Sequence, residues 1–214
     1  MNEPTTGRKD GKGMSRGAAA LLLATLSAWL PARLAAQTGD TVPAGYGTLK
    51  RDDIVVRFST GQLEIQVLPL DEQVIRLLAP DTYKSLRRLI DQRQAQIDTL
   101  AERAGVTNPT LVMVTFYGLI PQARFTPEDL DITSRGQLFR PDGILALSPT
   151  WNAQQLDARQ QAVAIYLFDP GITFREALTV SYEGLTNDSW TNALRTLDQE
   201  RARVGARARS KPNP

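Results

Sequence analysis

The sequence predicts a mainly β chain of the α+β type: a β-sandwich with one amphipathic helix inserted at about 81–104 and a C-terminal helix at about 188–207. Three observations predict it. Short apolar–polar alternations recur along the chain, each bounded by Gly, Pro, Asn or Asp, which is how half-buried strands separated by turns are written. One long stretch between two of these strands changes to helical spacing. A second helical stripe begins near Trp190 and runs into a basic tail.

The N-terminus comes first. Thirteen mostly apolar residues, Ala18–Leu30, follow the positive flank Arg8, Lys9, Lys12 and Arg16. A helix needs about 20 apolar residues to span a bilayer. Pro31 stops this one, because proline has no N–H to donate and its ring clashes with the preceding turn. Leu34-Ala35-Ala36 then offers small residues before Gln37. Charged, apolar and small segments in this order are those of a secretory signal peptide, so residues 1–36 are expected to be removed by cleavage after Ala36. A buried core helix and an uncleaved membrane anchor are the alternatives. Either Met1 or Met14 serves as the start, since Met14–Ala36 alone is a complete signal. The expected destination is the periplasm or the extracellular space, with no transmembrane span in the mature form.

Removing the signal changes the charge. The chain has 25 Lys+Arg and 23 Asp+Glu, and residues 1–36 hold five of the former and two of the latter, which leaves 20 against 21. A clustered cationic excess is the footprint of nucleic-acid binding. None survives the subtraction, so no nucleic-acid partner is expected. The local exception is the tail, where Arg201, Arg203, Arg207, Arg209 and Lys211 accumulate near Glu200.

In order along the mature chain, residues 37–47 form a polar leader with Pro43 and three glycines, expected to be a flexible link. The sandwich, with its inserted helix, is expected over 48–186, and the C-terminal helix and basic tail over 187–214. Ile54, Val56 and Phe58, then Leu63, Ile65 and Val67, alternate with polar neighbours on either side of Ser59-Thr60-Gly61. That pattern predicts a β-hairpin whose glycine is free to take a positive φ. Val74 to Leu78 reads as a short strand or turn. Asp81 is the expected N-cap of the inserted helix and Gly105 its stop, with Tyr83, Leu86, Ile90, Ile97, Leu100 and Ala104 as its apolar face. Arg93 interrupts that stripe, so the helix is expected to lie on a sheet and not in a coiled coil. "TLVMVTFYGL" is apolar on both faces and predicts a central strand. "LDITS", "GILALS", "QAVAIYLFD" and "ALTVSYEG" are further strands. The last helix is expected to begin near Asn187 or Asp188, with Trp190, Leu194, Leu197 and Val204 on its apolar face.

The run "RFTPEDLDITSRGQLFRP", then "LDARQQAVAIYLFDPGI", then "ALTVSYEG" resembles immunoglobulin-like β-sandwich domains of bacterial exported and envelope proteins. It covers about 111–184. The resemblance implies the sandwich fold and the envelope compartment, and it brings no catalytic residue with it. The inserted helix and the absence of a cysteine pair depart from the antibody-type pattern.

The chain has no His and no Cys. That removes the commonest general base near neutral pH, thiol nucleophiles, Ser-His-Asp hydrolysis, and zinc, haem and iron–sulfur sites built on those ligands. No cofactor, metal site or catalytic residue is assigned. Glu128, Asp129 and Asp131 are the densest acids. "DLDITSRG" lacks the Gly and Glu positions of a calcium loop, so an edge strand with Asp129 and Asp131 facing solvent is expected. Trp151 and Trp190 make either a carbohydrate-stacking platform or, as favoured here, core anchors. Phe116, Phe139, Tyr166 and Phe168 are taken as core. The basic tail is either a contact for lipid head groups or an acidic polymer, or a solvated helix end.

Two function classes follow. One is a non-catalytic exported domain that binds an envelope protein or an anionic surface polymer, through a sandwich edge or the 81–104 helix. It predicts an exposed apolar patch or an unpaired strand. The other is a carboxylate-based hydrolase acting on saccharides, with two acids about 5–9.5 Å apart in a cleft beside an aromatic such as Trp151. The first is expected.

Overall fold

The computed structural model describes residues 42–210. The signal peptide, its cleavage point and Lys211 lie outside the described residues, as do residues 37–41 of the leader. The elements in chain order are β1 (Val56–Ser59), β2 (Leu63–Pro69), the one-turn helix α1 (Glu72–Ile75), α2 (Pro80–Ala104), β3 (Thr110–Gly118), β4 (Ala123–Arg124), β5 (Leu130–Ser134), β6 (Gln137–Phe139), β7 (Gly143–Ala146), β8 (Gln155–Leu156), β9 (Gln161–Phe168), β10 (Leu178–Tyr182), β11 (Leu185–Asn187) and α3 (Trp190–Ser210). Short 3-10 turns lie at Arg51–Asp53, Pro127–Asp129 and Pro149–Ala153.

The named strands all pair antiparallel, and one isolated parallel bridge joins Leu49 to Leu78. A five-stranded sheet has the order β1-β2-β3-β9-β7, a four-stranded sheet the order β11-β10-β5-β6, and β4 and β8 form a small ribbon. The expected hairpin is β1–β2, with Val56 opposite Val67 and Phe58 opposite Ile65. Its turn is made by a side chain. Thr60 Oγ1 accepts from the backbone N–H of Gln62 at 3.1 Å and of Leu63 at 2.9 Å, while Gly61 keeps a negative φ. A hydroxyl that holds its own turn makes a left-handed glycine unnecessary. The expected central strand is β3, paired with β2 on one side and β9 on the other. It ends at Gly118, and Leu119 lies beyond it.

The register sorts the five-stranded sheet into two faces. Val67, Val114 and Ala164 share one row, as do Ile65, Phe116 and Ala162, so one face carries Phe116, Tyr166 and Phe168. That face meets the smaller sheet: the rings of Phe116 and β10's Tyr182 are 5.5 Å apart, and Phe125 stacks on Phe116 at 4.7 Å. Leu68, Met113 and Ile165 lie on the opposite face, where α2 crosses β7. The layers are therefore helix, five-stranded sheet and four-stranded sheet. Each Phe, Tyr or Trp buried between the sheets removes about 150–250 Å² from water.

The expectation that Asp129 and Asp131 lie on an edge strand is corrected. β5 is interior, flanked by β10 and β6, and Asp129 belongs to the turn before it. Leu130 and Ile132 point inward as expected and are fully buried. The strands that sequence patterning passes over are β4, β6, β8 and β11, each two or three residues long.

The helices decide one open reading and carry one correction. Of the two readings of Val74 to Leu78, strand or turn, the turn forms. Asp71 caps α1 by accepting from Gln73 N at 2.9 Å, and the turn continues through Leu77 N to Val74 O. At the start of α2, Ala79 is the N-cap, Pro80 takes the first helical position and Asp81 sits inside the first turn. Proline's fixed φ suits that first position, where its missing N–H would have had no partner. Gly105 stops α2 as expected, left-handed at φ 72°, with Val106 N bonded to Ala101 O and its own N–H to Glu102 O. Leu86, Ile90, Ile97 and Ala101 are the buried face, whereas Ala104 is exposed. α3 buries Trp190, Leu197 and Val204 together with one charged residue, Glu200.

The segment Val42–Lys50 is tied to the body. Arg76 Nη1 donates to Val42 O at 3.2 Å, Leu49 N donates to Leu77 O, and Ala79 N donates to Leu49 O. Gly47 is required by close approach: a Cβ there would stand 2.2 Å from Leu77 O.

Candidate functional site

The densest acids sit on a turn that two buried tyrosines hold in place. Tyr166 Oη donates to Pro127 O at 2.8 Å, and Thr126 N donates to Tyr182 Oη at 2.9 Å. Burial pushes both phenols well above their ordinary range, so they stay neutral and serve as fixed hydrogen-bonding posts. From this turn Glu128 and Asp129 join Asp131, Arg140 and Glu183 around an open depression of about 550 Å³. Partial burial raises the carboxyl pKa of Asp131 above its ordinary value. The Arg140 guanidinium opposes that shift, and the charge of Asp129 adds to it. Arg140 Nε stands 3.9 Å from Asp131 Oδ1, too far for a hydrogen bond.

The carboxylate-hydrolase reading places an aromatic beside the acids of this depression. No aromatic side chain lines it. Trp151 is buried elsewhere, 5.8 Å from Phe116, 5.3 Å from Phe125 and 6.0 Å from Tyr166. Trp190 is fully buried and packs edge-on against Phe174 at 5.6 Å. Trp151 and Trp190 are core anchors, and they form no stacking platform. Phe116, Phe139, Tyr166 and Phe168 are likewise buried. Among the described residues, no three acidic side chains are placed to hold a metal ion.

The basic tail is partly committed to the fold. Glu200 is completely buried and accepts from Thr48 N and Thr48 Oγ1 at 2.9 Å each and from Arg207 Nη1 at 2.8 Å. Arg207 also donates to Tyr46 O at 2.6 Å. Desolvation raises the carboxyl pKa of Glu200, but the bonds from Arg207 and Thr48 outweigh it and the net shift is downward. Arg203 leans on the same carboxylate at 3.9 Å. Sequence reading missed Glu200, because a charge on an apolar stripe looks like an interruption of it.

The exposed apolar residues lie elsewhere. Leu119 and Ile120 are adjacent and 48 % and 43 % exposed, in the loop between β3 and β4; Leu138 on β6 and Leu185 on β11 are also exposed. The loop is braced on both sides. Leu119 N donates to Gln62 O in the β1–β2 turn, and Arg159 N donates to Gly118 O from the turn before β9. Gln122 closes it in a left-handed conformation, φ 56°. The loop's backbone is held at its start while the two aliphatic side chains stay in water. Sequence reading missed this pair, because it ran the central strand on through Leu119 and so counted that leucine as buried.

No helix of the described residues is long and apolar enough to cross a membrane. No family model, curated protein or solved structure matches the chain.

Proposed function

We propose that this chain is an exported, non-catalytic domain of the bacterial cell envelope, an immunoglobulin-like β-sandwich that binds a protein partner through the loop end at Leu119–Ile120. The exposed aliphatic pair on its braced loop carries the reading. Large side chains left in water without a functional reason are disfavoured when they are contiguous, and neighbouring Pro121 limits any rearrangement that would bury them. The N-terminal order of Arg8–Arg16, Ala18–Leu30 and Ala35-Ala36 supports export. Two antiparallel sheets meeting across Phe116 and Tyr182 support the sandwich, and α2 on the outer face of the larger sheet is its departure from the immunoglobulin pattern.

The experiment places a photo-crosslinking residue at Ile120 in one variant and at exposed Lys84 on α2 in another, both expressed in the native host. The expected result is a discrete protein adduct from position 120 that position 84 does not give. Equal labelling from both positions, or none from position 120, refutes the reading.

A further inference from the structure

We propose that the outward face of α2 pairs with the same face of a second copy of this chain, the two helices antiparallel about a twofold axis. α2 is buried along Leu86, Ile90, Ile97 and Ala101. Its other side carries Lys84, Arg88, Asp91, Ala95, Asp98 and Glu102, all exposed. These positions alternate four and three residues apart, the spacing that keeps one stripe on one face of a helix along its length.

The charges of this stripe are sorted by sign. Lys84 and Arg88 stand four residues apart at one end, and Asp98 and Glu102 four residues apart at the other. Like charges at that spacing destabilise a helix, so neither pair serves α2 itself. Among the described residues none of the four forms an ion pair. Asp98 accepts the neutral amide of Gln94 at 2.7 Å, which leaves its charge uncompensated. Each end borders an open depression, of about 470 Å³ beside the cations and about 480 Å³ beside the acids.

The order of the stripe selects the partner. A surface of one sign attracts one end of α2 and repels the other. A partner that satisfies both ends carries the same charges in reverse order at the same spacing, and α2 turned end for end does so. Lys84 then comes opposite Glu102 of the second copy, Arg88 opposite Asp98, and Asp91 opposite Ala95. Every pairing occurs twice, as a twofold interface requires. The charge of Asp91 is already met by Arg87 at 3.1 Å, and the small Ala95 side chain beside it lets the helices approach. Exposed ion pairs orient an interface more than they tighten it, so the dimer is weak and sensitive to salt. This surface goes beyond the role proposed above and shares no residue with Leu119–Ile120, so either proposal can fail alone. A crosslinker at Lys84 captures a second copy, and the mass of that adduct separates it from the partner adduct at Ile120.

Sedimentation equilibrium of the protein purified from its native host is the test. The parent is expected to populate dimers at up to about 1 mM in low salt, and to dissociate at about 1 M salt, where the Debye length is about 3 Å. Lys84→Glu with Arg88→Glu leaves only acids on the stripe, and Asp98→Lys with Glu102→Lys leaves cations at both ends. Each weakens self-association by about tenfold or more. Mixed in equal amounts, the two variants form a one-to-one heterodimer. Lys50→Glu with Arg195→Glu, the same change of charge at exposed positions away from α2, leaves the dimer intact. Should a reversed variant not fold, the salt response of the parent and the mass of the Lys84 adduct still decide the matter. A parent that stays monomeric at about 1 mM, a dimer that salt leaves untouched, reversed variants that associate like the parent, or no heterodimer from two folded variants overturns the proposal.

Discussion

Glu200→Ala tests how the C-terminal helix is held to the rest of the chain. The carboxylate is fully buried and accepts hydrogen bonds from Thr48 N, Thr48 Oγ1 and Arg207 Nη1. Removing one partner of a buried ion pair costs about 3–5 kcal/mol, because the charge left behind has lost its counterpart. Here Arg207 is 38 % exposed and Thr48 is at the surface, so both can turn to water. The expected loss is therefore smaller, about 2–3 kcal/mol. Urea unfolding at pH 7 measures it as a lower midpoint with an unchanged slope. The pH dependence has a definite sign. The folded-state pKa of Glu200 lies below its ordinary value of 4.5, so its contribution is complete above that value and is lost as pH falls through the lowered one. The gap between parent and Glu200→Ala is thus constant from neutral pH down to about 5 and narrows below about 4. A loss under about 0.5 kcal/mol at pH 7 is what an ordinary surface substitution gives, and it would refute the idea that this carboxylate fastens α3 to the Thr48 segment.

Three further outcomes are expected. Gly47→Ala drives a Cβ to within 2.2 Å of Leu77 O, so the segment before Leu49 must shift; a cost of about 1–3 kcal/mol and faster proteolysis near residues 42–47 are expected. Tyr182→Phe leaves Thr126 N without its acceptor, which lowers the thermal midpoint by an amount corresponding to about 1–2 kcal/mol and loosens the acidic turn, visible as faster amide exchange at Glu128 and Asp129. Replacing both Leu119 and Ile120 by Ser leaves unfolding within about 0.5 kcal/mol of the parent, while the adduct formed at the loop end disappears.

Local rules make much of this fold legible in the amino-acid sequence. The β1–β2 hairpin, the stop at Gly105 and the central place of β3 each depend on neighbours in sequence or on a pattern within one strand, and each stands as expected. What failed or stayed open was either too short or too distant. Val74–Leu78, apolar but for Arg76, is too short a run to distinguish a strand from a turn, and of those two readings the turn is the one that forms. β4 and β8 have two residues each, below the length at which alternation can be seen. The interior position of β5 comes from its pairing with β10, more than forty residues away, and no local pattern encodes that. Glu200 and Thr48 are 152 residues apart, so the one buried carboxylate of α3 had no visible partner in the sequence. At the surface, the acids were found but their setting was not, because the tyrosine posts that carry Glu128 and Asp129 come from two different sheets.

Export underlies the whole functional account, and the mature N-terminus tests it most directly. Protein recovered from the native host is fractionated, and its first residues are read by mass spectrometry of the N-terminal peptide. The account predicts Gln37 as the first residue, in an envelope or extracellular fraction. An intact chain beginning at Met1 or Met14 in the cytosol would contradict it.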